Sequence, residues 1–245
     1  MIPKIIHYCW FGKSKLPEKI IKIIESWKEK LPDYEIIVWN EENFNVDNIN
    51  FTKQAYEAKK YAFVSDYVRL YALYRYGGIY LDTDEEIIKN IDSFLNHNAV
   101  LGFDDGNCII SCFMAFKKEH KLIKELLDFY NEVDFIREDK SYELTPNTIW
   151  IQNILKNRYG LILNGYRQTL NGDIDVYPEE YFHAKSLITG KINVTSNTYG
   201  IHHHTLLWVS KKTLFIKFLR QNIIIPIIGK DNYVKITNRL KGEVV

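Results

Sequence analysis

Along the first forty residues the apolar positions change period twice. Residues 4–11 (KIIHYCWF) form a near-continuous apolar run closed by Gly12, the pattern of a buried strand. From Pro17 to Lys30 the apolar residues recur at helical spacing, with Ile20, Ile24 and Trp27 on one face. Pro17 stands at the start, where a helix N-terminus accepts proline. Residues 34–40 (YEIIVWN) return to a strand pattern. Strand, helix, strand is the opening of an α/β fold with a parallel sheet.

Further along, residues 52–60 and 65–76 are expected to be helices. The second has Ser65 as its N-cap and Gly77-Gly78 as its stop. Short strands are expected at 79–81, 100–103 and 108–116, and helices at 119–133 and 147–156. Asn164-Gly165 and Asn171-Gly172 mark turns, and 199–203 is a late strand. No internal repeat or low-complexity linker interrupts the order.

Composition changes this picture in three places. With 245 residues the chain suits one large domain, or one domain with an appended tail. The formal net charge of +1 gives no global electrostatic reason to expect nucleic acid as a partner. That balance is uneven along the chain, however. Residues 209–245 hold eight Lys or Arg and two acidic residues, so this tail carries +6 and the rest −5. Charge and apolar residues interleave in LFIKFLRQNIIIPII, the pattern of a helical tail packed on the domain or facing an anionic membrane. The division expected is a domain over 1–208 and a basic helical tail over 209–245.

The three cysteines, Cys9, Cys108 and Cys112, are odd in number and argue against a disulfide framework; they are expected as buried reduced thiols. The N-terminus lacks a signal-peptide core, and no run approaches the ~18 apolar residues of a membrane span. The expected location is cytoplasmic, with peripheral contact at the inner face of the membrane through the tail.

The chemistry concentrates in YRYGGIYLDTDEEIIKN, where a short apolar strand runs into Asp82 and Asp84. Residues two apart in an extended segment share a side, so both carboxylates can face one ion. Hard oxygen ligands suit Mn²⁺ or Mg²⁺ together with a substrate diphosphate. Asp-x-Asp alone says little, since Asp173-Ile174-Asp175 matches too. That second copy follows a turn, without an apolar strand leading into it. Asp66 and Arg69 lie three apart on one helical face, near the expected helix start, where they suit hydroxyls or phosphate. The run His202-His203-His204 at a strand end offers a nitrogen ligand or a phosphate donor, although adjacent side chains on a strand cannot all reach one ion.

These stretches, IPKIIHYCWFG, FVSDYVRLYALYRYGGIYLDTD, VYPEEYF and NTYGIHHHTLLWVS, resemble the family 32 glycosyltransferases, the DXD sugar-binding-motif family. The large glucosylating bacterial toxins are similar more distantly. The resemblance implies a GT-A fold, a Rossmann-like mixed sheet flanked by helices. It implies a retaining transfer of a hexose from a nucleotide sugar, UDP-Gal or UDP-Glc first, with Mn²⁺, to a surface-glycan, capsule or glycoprotein-glycan acceptor, glycan or lipid-linked. Carried over, Asp84 is the direct metal ligand, and Asp82 contacts the ribose and the metal shell. Asp66 and Arg69 hold donor-sugar hydroxyls. Tyr80, His7, Tyr8 and Trp10 lie near the base, ribose or sugar. His203, five residues before Trp208, is the third metal or phosphate contact, and Trp208 closes over the diphosphate.

Related sequences read His-His-x-x-Gly-Ser-Trp at the last motif, whereas Leu206-Leu207 stand here. The missing hydroxyl passes to Thr205 or Ser210. Residues 104–111 and 145–148 are expected on the acceptor side, with Asp104 or Asp105 in contact. The rival readings are a metal-dependent phosphodiesterase acting on nucleotide substrates and a non-catalytic nucleotide-sugar-binding module.

Overall fold

The computed structural model of the chain describes residues 1–205 and 211–242. It opens with β1 (Ile5–Cys9), α1 (Glu18–Lys30) and β2 (Glu35–Trp39), where the period changes predict them. Next come α2 (Asn50–Glu57), α3 (Tyr61–Tyr76), β3 (Gly78–Leu81), β4 (Glu85–Ile87), β5 (Ala99–Gly102) and β6 (Phe113–Phe116). Helices α4 (Lys121–Asn131) and α5 (Asn147–Tyr159) precede β7 (Gln168–Leu170), β8 (Ile174–Tyr177), α6 (Glu179–Phe182) and β9 (Gly200–His202). The tail is helical: α7 (Lys211–Leu219), a π-helical turn (Arg220–Ile224), α8 (Ile225–Ile228) and α9 (Lys230–Gly242).

Seven strands form one mixed sheet in the order β2-β1-β3-β6-β5-β8-β7. β1 pairs in parallel with both β2 and β3, and β3 with β6 antiparallel. The chain therefore leaves β1 to one side and returns to its other side, which makes a switch point where α/β sheets bind ligands at their carboxyl ends. Asp82 follows β3 at that edge. β4 and β9 form a separate two-stranded ribbon, with Glu85 opposite His202.

Alternation divides the core between the two sheet faces. On β3, Ile79 and Leu81 pack on the side of α1, with Ile20, Ile24, Trp27 and Phe113, and Tyr80 points to the other side. There α3, α4 and α5 cover the sheet through Leu70, Leu73, Leu126 and Leu155. Each such fully buried aliphatic side chain contributes on the order of 1.5–3 kcal/mol.

Gly77 and Gly78 adopt φ of 67° and 104°. A Cβ at Gly78 would meet the Ile5 carbonyl oxygen at 2.6 Å, and one at Gly77 the Lys118 nitrogen at 2.6 Å. The glycine pair thus ends α3 and lets β3 lie flush against β1.

Three expectations change. Helix α3 starts at Tyr61, so Ser65 is interior, its hydroxyl donating to the Tyr61 carbonyl at 3.1 Å. The apolar spacing through Val64 and Val68 outweighs the cap-like serine, and Asp66 and Arg69 stand beyond the helix's first turn. The strand expected over 108–116 shrinks to β6, because Cys108–Ser111 turn away after an isolated bridge between Phe103 and Ile109. Cys9 and Cys112 are buried, but Cys108 is half-exposed on that loop.

Candidate active site

The two carboxylates meet by a turn and not by strand alternation. Asp82 to Glu85 close a four-residue turn, with the Glu85 N–H donating to the Asp82 carbonyl at 2.9 Å. Asp82 is pinned at the end of β3 by its own N–H, which donates to the Cys112 carbonyl at 2.9 Å.

Behind them Arg69 ties the site together. Its Nη2 lies 3.0 Å from Asp66 and 3.4 Å from Asp82. Its Nη1 donates to the carbonyl and hydroxyl oxygens of Ser111 at 2.9 and 2.7 Å. The guanidinium stacks over the Tyr80 ring, 4.5 Å from the centroid, and the Tyr80 hydroxyl donates to Asp82 at 3.0 Å. Burial works against the Arg69 charge, but Tyr80, Asp82 and Asp66 more than offset it and keep the guanidinium protonated. Burial lifts Asp66 to about 6 despite Arg69, which favours ionisation.

Asp84 is held from the β9 side. His202 Nε2 lies 3.2 Å from one carboxylate oxygen, and the Thr205 N–H and hydroxyl donate to the other at 2.7 and 2.9 Å. Burial would raise its pKa, but these hydrogen bonds win and hold the carboxyl well below the usual range. Asp82, Asp84 and His202 place ligand atoms within 4.8 Å of one another. Two carboxylates and one imidazole, with Asp84 held ionised, fit a divalent ion such as Mn²⁺.

The imidazole at the carboxylates is thus His202, where sequence reasoning selects His203. His203 Nε2 lies 2.7 Å from Glu86. The ribbon and the turn decide it together. His202 lies opposite Glu85, and the turn before β4 brings the Asp84 carboxylate to that face. His203, whose N–H donates to the Asp84 carbonyl at 3.0 Å, turns its ring to Glu86 on the other face. His204 is buried, with φ of 52°, and its Nε2 bonds the Lys185 carbonyl at 3.1 Å. That left-handed residue redirects the chain so that Thr205 reaches Asp84.

His7 and Tyr8 belong to the core instead of a nucleotide surface. His7 is fully buried, donating from Nε2 to the Gly77 carbonyl at 2.8 Å and accepting the Trp39 indole N–H at 3.2 Å. Burial lowers its pKa to about 4, so it is a neutral structural histidine. Tyr8 packs edge-on against Trp27. Trp10 is half-exposed at the end of β1, its indole donating to the Ser14 carbonyl at 2.7 Å. Trp208, Leu206, Leu207 and Ser210 lie outside the described residues.

On the expected acceptor side, Asp104 accepts from the N–H groups of Gly106 and Cys108 in its own loop, and Asp105 is held by Ser186 and Lys230. Each carboxylate is engaged through one of its two oxygens. Ser111 braces Arg69.

One group, Glu85, escaped sequence reasoning, and a second, Asn147, takes a place other than the one expected. Glu85 is fully buried with both carboxyl oxygens unpartnered, and burial next to Asp84 and Asp82 pushes its pKa far up, so it is a neutral acid. Asn147, at the start of α5, is buried beside Asp66 with an unpartnered Nδ2. No sequence pattern marks Glu85, and Asn147 belongs to the 145–148 segment expected on the acceptor side, where the structure sets it beside Asp66. A cleft of about 780 Å³, lined by Lys53, Glu57, Arg137 and Glu143, holds none of these residues.

With this geometry in view, the likenesses of the chain become specific. Residues 17–101 match the family described as a glycosyltransferase sugar-binding region containing a DXD motif. Inositol phosphoceramide mannosyltransferase 3 of Schizosaccharomyces pombe is 32% identical over 130 residues, 51% of this chain and 36% of that protein. Subversion of eukaryotic traffic protein A of Legionella pneumophila is 33% identical over 111 residues, 34% of this chain and 17% of that protein. The chain thus spans about a third or less of the length of these relatives. Among solved structures, PaToxG Glycosyltransferase superposes with a TM-score of 0.51 at 20% identity, covering 64% of this chain and 68% of that one. The fold is the α/β GT-A type, as the resemblance implies.

Proposed function

We propose, from the premise that residues 17–101 form a DXD-containing glycosyltransferase sugar-binding region, that this chain is a metal-dependent retaining glycosyltransferase. It moves a hexose from a nucleotide sugar to a glycan or lipid-linked glycan acceptor. The observation that carries this reading is the convergence of Asp82, Asp84 and His202 ligand atoms within 4.8 Å. Arg69 joins the same Asp82 to Asp66, 3.0 Å away.

In this reading Asp82, Asp84 and His202 hold the divalent ion. When bound, Mn²⁺ or Mg²⁺ supplies charge neutralisation for the departing nucleoside diphosphate. Asp66, ionised above about pH 6, accepts hydrogen bonds from donor-sugar hydroxyls. Arg69 fixes Asp66 and Asp82 from behind, and Asn147 offers its unpartnered amide donor to the same pocket. Thr205 is occupied by Asp84 and stiffens that carboxylate, so it does not replace the missing phosphate hydroxyl. No side chain is poised as a covalent nucleophile among the described residues, and the acceptor hydroxyl attacks on the face the diphosphate leaves.

UDP-Gal and UDP-Glc are the first donors to try. A mannosyl donor joins them, because the fungal relative is named a mannosyltransferase. The lipid in that relative's name supports a lipid-linked acceptor made at a membrane, for which a bacterial surface glycan or capsule precursor is the proposed class. The test is nucleotide release from UDP-Gal, UDP-Glc, UDP-GlcNAc, UDP-GalNAc and GDP-Man with Mn²⁺. Release from one donor, abolished by EDTA, is expected. Absence of both turnover and Mn²⁺-dependent nucleotide binding would contradict the reading.

A further inference from the structure

The helix beyond the site is inside out. α7, the π-helical turn and α8 run on from Lys211 to Ile228. Three polar side chains of this rod, Lys217, Arg220 and Gln221, face the protein. Lys217 Nζ donates to the His204 carbonyl at 2.9 Å, and Arg220 and Gln221 both donate to the Leu187 carbonyl, at 2.8 and 3.0 Å. Ile225 is buried on the same side. The opposite side carries Phe215, Phe218, Ile223 and Ile227, all exposed, Phe215 by 60% and Ile227 by 76%. The π-helical turn rotates less per residue than an α-helix and keeps Ile223 and Ile227 in line with Phe215.

A contiguous apolar row of this kind marks a surface that meets something apolar. Charge selects the occupant. Residues 209–245 carry +6 while the rest of the chain carries −5. Lys212 is exposed at the start of the row, and Lys235 is exposed on α9. A second copy docked through the same face would set +6 against +6. An anionic bilayer surface complements both the charge and the apolar row. Among the described residues no helix is long and apolar enough to cross a membrane, so the contact is one of lying on the surface.

We propose that the outward face of residues 211–228 seats in the headgroup–acyl boundary of a membrane rich in anionic lipid. Through Lys217 and the His204 carbonyl, that contact sits one hydrogen bond from the loop that holds Asp84. Lipid binding does not depend on the transferase reading; only the delivery of a lipid-linked acceptor does.

The test is co-sedimentation of the full chain with vesicles of phosphatidylcholine alone or mixed with phosphatidylglycerol. Partitioning at least about tenfold greater onto the mixed vesicles is expected, weakening at high salt. The triple variant Phe215→Glu/Phe218→Glu/Ile227→Glu should lose it while keeping Mn²⁺-dependent UDP binding. If that variant fails to fold, Lys212→Glu/Lys235→Glu leaves the apolar row intact and should weaken partitioning by about tenfold or more. Wild-type protein remaining in the supernatant with both vesicles would overturn the proposal. So would equal partitioning of variant and wild type, or a solution dimer that the triple variant converts to monomer.

Discussion

The chain contains Asp-x-Asp twice, and the two copies behave differently. At Asp173-Ile174-Asp175 each carboxylate is matched by its own partners. Asp175 lies 2.6 Å from His97 and accepts from Thr169 at 2.7 Å, with Arg167 at 3.9 Å; Asp173 has Lys117 at 3.5 Å and His120 at 3.0 Å. The pair sits across the start of β8, and its charge is spent on holding strands and helix ends together. At Asp82-Thr83-Asp84 the turn gathers the carboxylates, and one guanidinium serves both Asp82 and Asp66. His202 joins from β9, the strand paired with β4. Negative charge is left gathered there, with a nitrogen ligand beside it. A motif becomes a site when the fold leaves its charge unspent.

The largest expected effect breaks this comparison at its two centres. Asp84→Asn should cut donor turnover by at least about a hundredfold, as loss of a fixed electrostatic group at a reacting centre does. Asp175→Asn should leave turnover within about twofold and cost about 1–3 kcal/mol of stability in a denaturant titration, from lost charged hydrogen bonds. Next comes the guanidinium. Arg69→Lys keeps the charge but not the fork that reaches Ser111 and both aspartates, and should lower kcat/KM by about ten- to a hundredfold. For the histidines, His202→Ala should weaken Mn²⁺ binding by about ten- to a hundredfold, measured by calorimetry, with His203→Ala within about threefold.

The smallest effect is a pH limb. Asp66 is raised to about 6 from an ordinary value of 3.8, so activity should rise with pH through about 6, and Asp66→Asn should remove that limb. The stability sign is the reverse. The folded chain binds the extra proton between these values, so this group's contribution to stability falls as pH rises through that window.

Much of this was legible in the sequence where period and local chemistry agree. The face of α1, the β1-α1-β2 opening and the Gly77-Gly78 stop need only local rules. So did the choice of Asp82 over Asp173, through the apolar strand that leads into it. What remained hidden depends on long-range register. Whether His202 or His203 meets Asp84 is set by how β9 pairs with β4, more than a hundred residues earlier. Neither that pairing nor the burial of His7 beneath Trp39 is written in local spacing. Ser65 misled because a serine within a helix and a serine at its cap look alike until the preceding turn is seen to bury Val64.

The most direct measurement is Mn²⁺-dependent UDP binding, by calorimetry, to wild type, Asp84→Asn and Asp175→Asn. Binding by wild type and Asp175→Asn, with loss in Asp84→Asn, is the predicted result. Retained binding in Asp84→Asn, or its loss in a folded Asp175→Asn, would contradict the assignment of the site to the turn after β3.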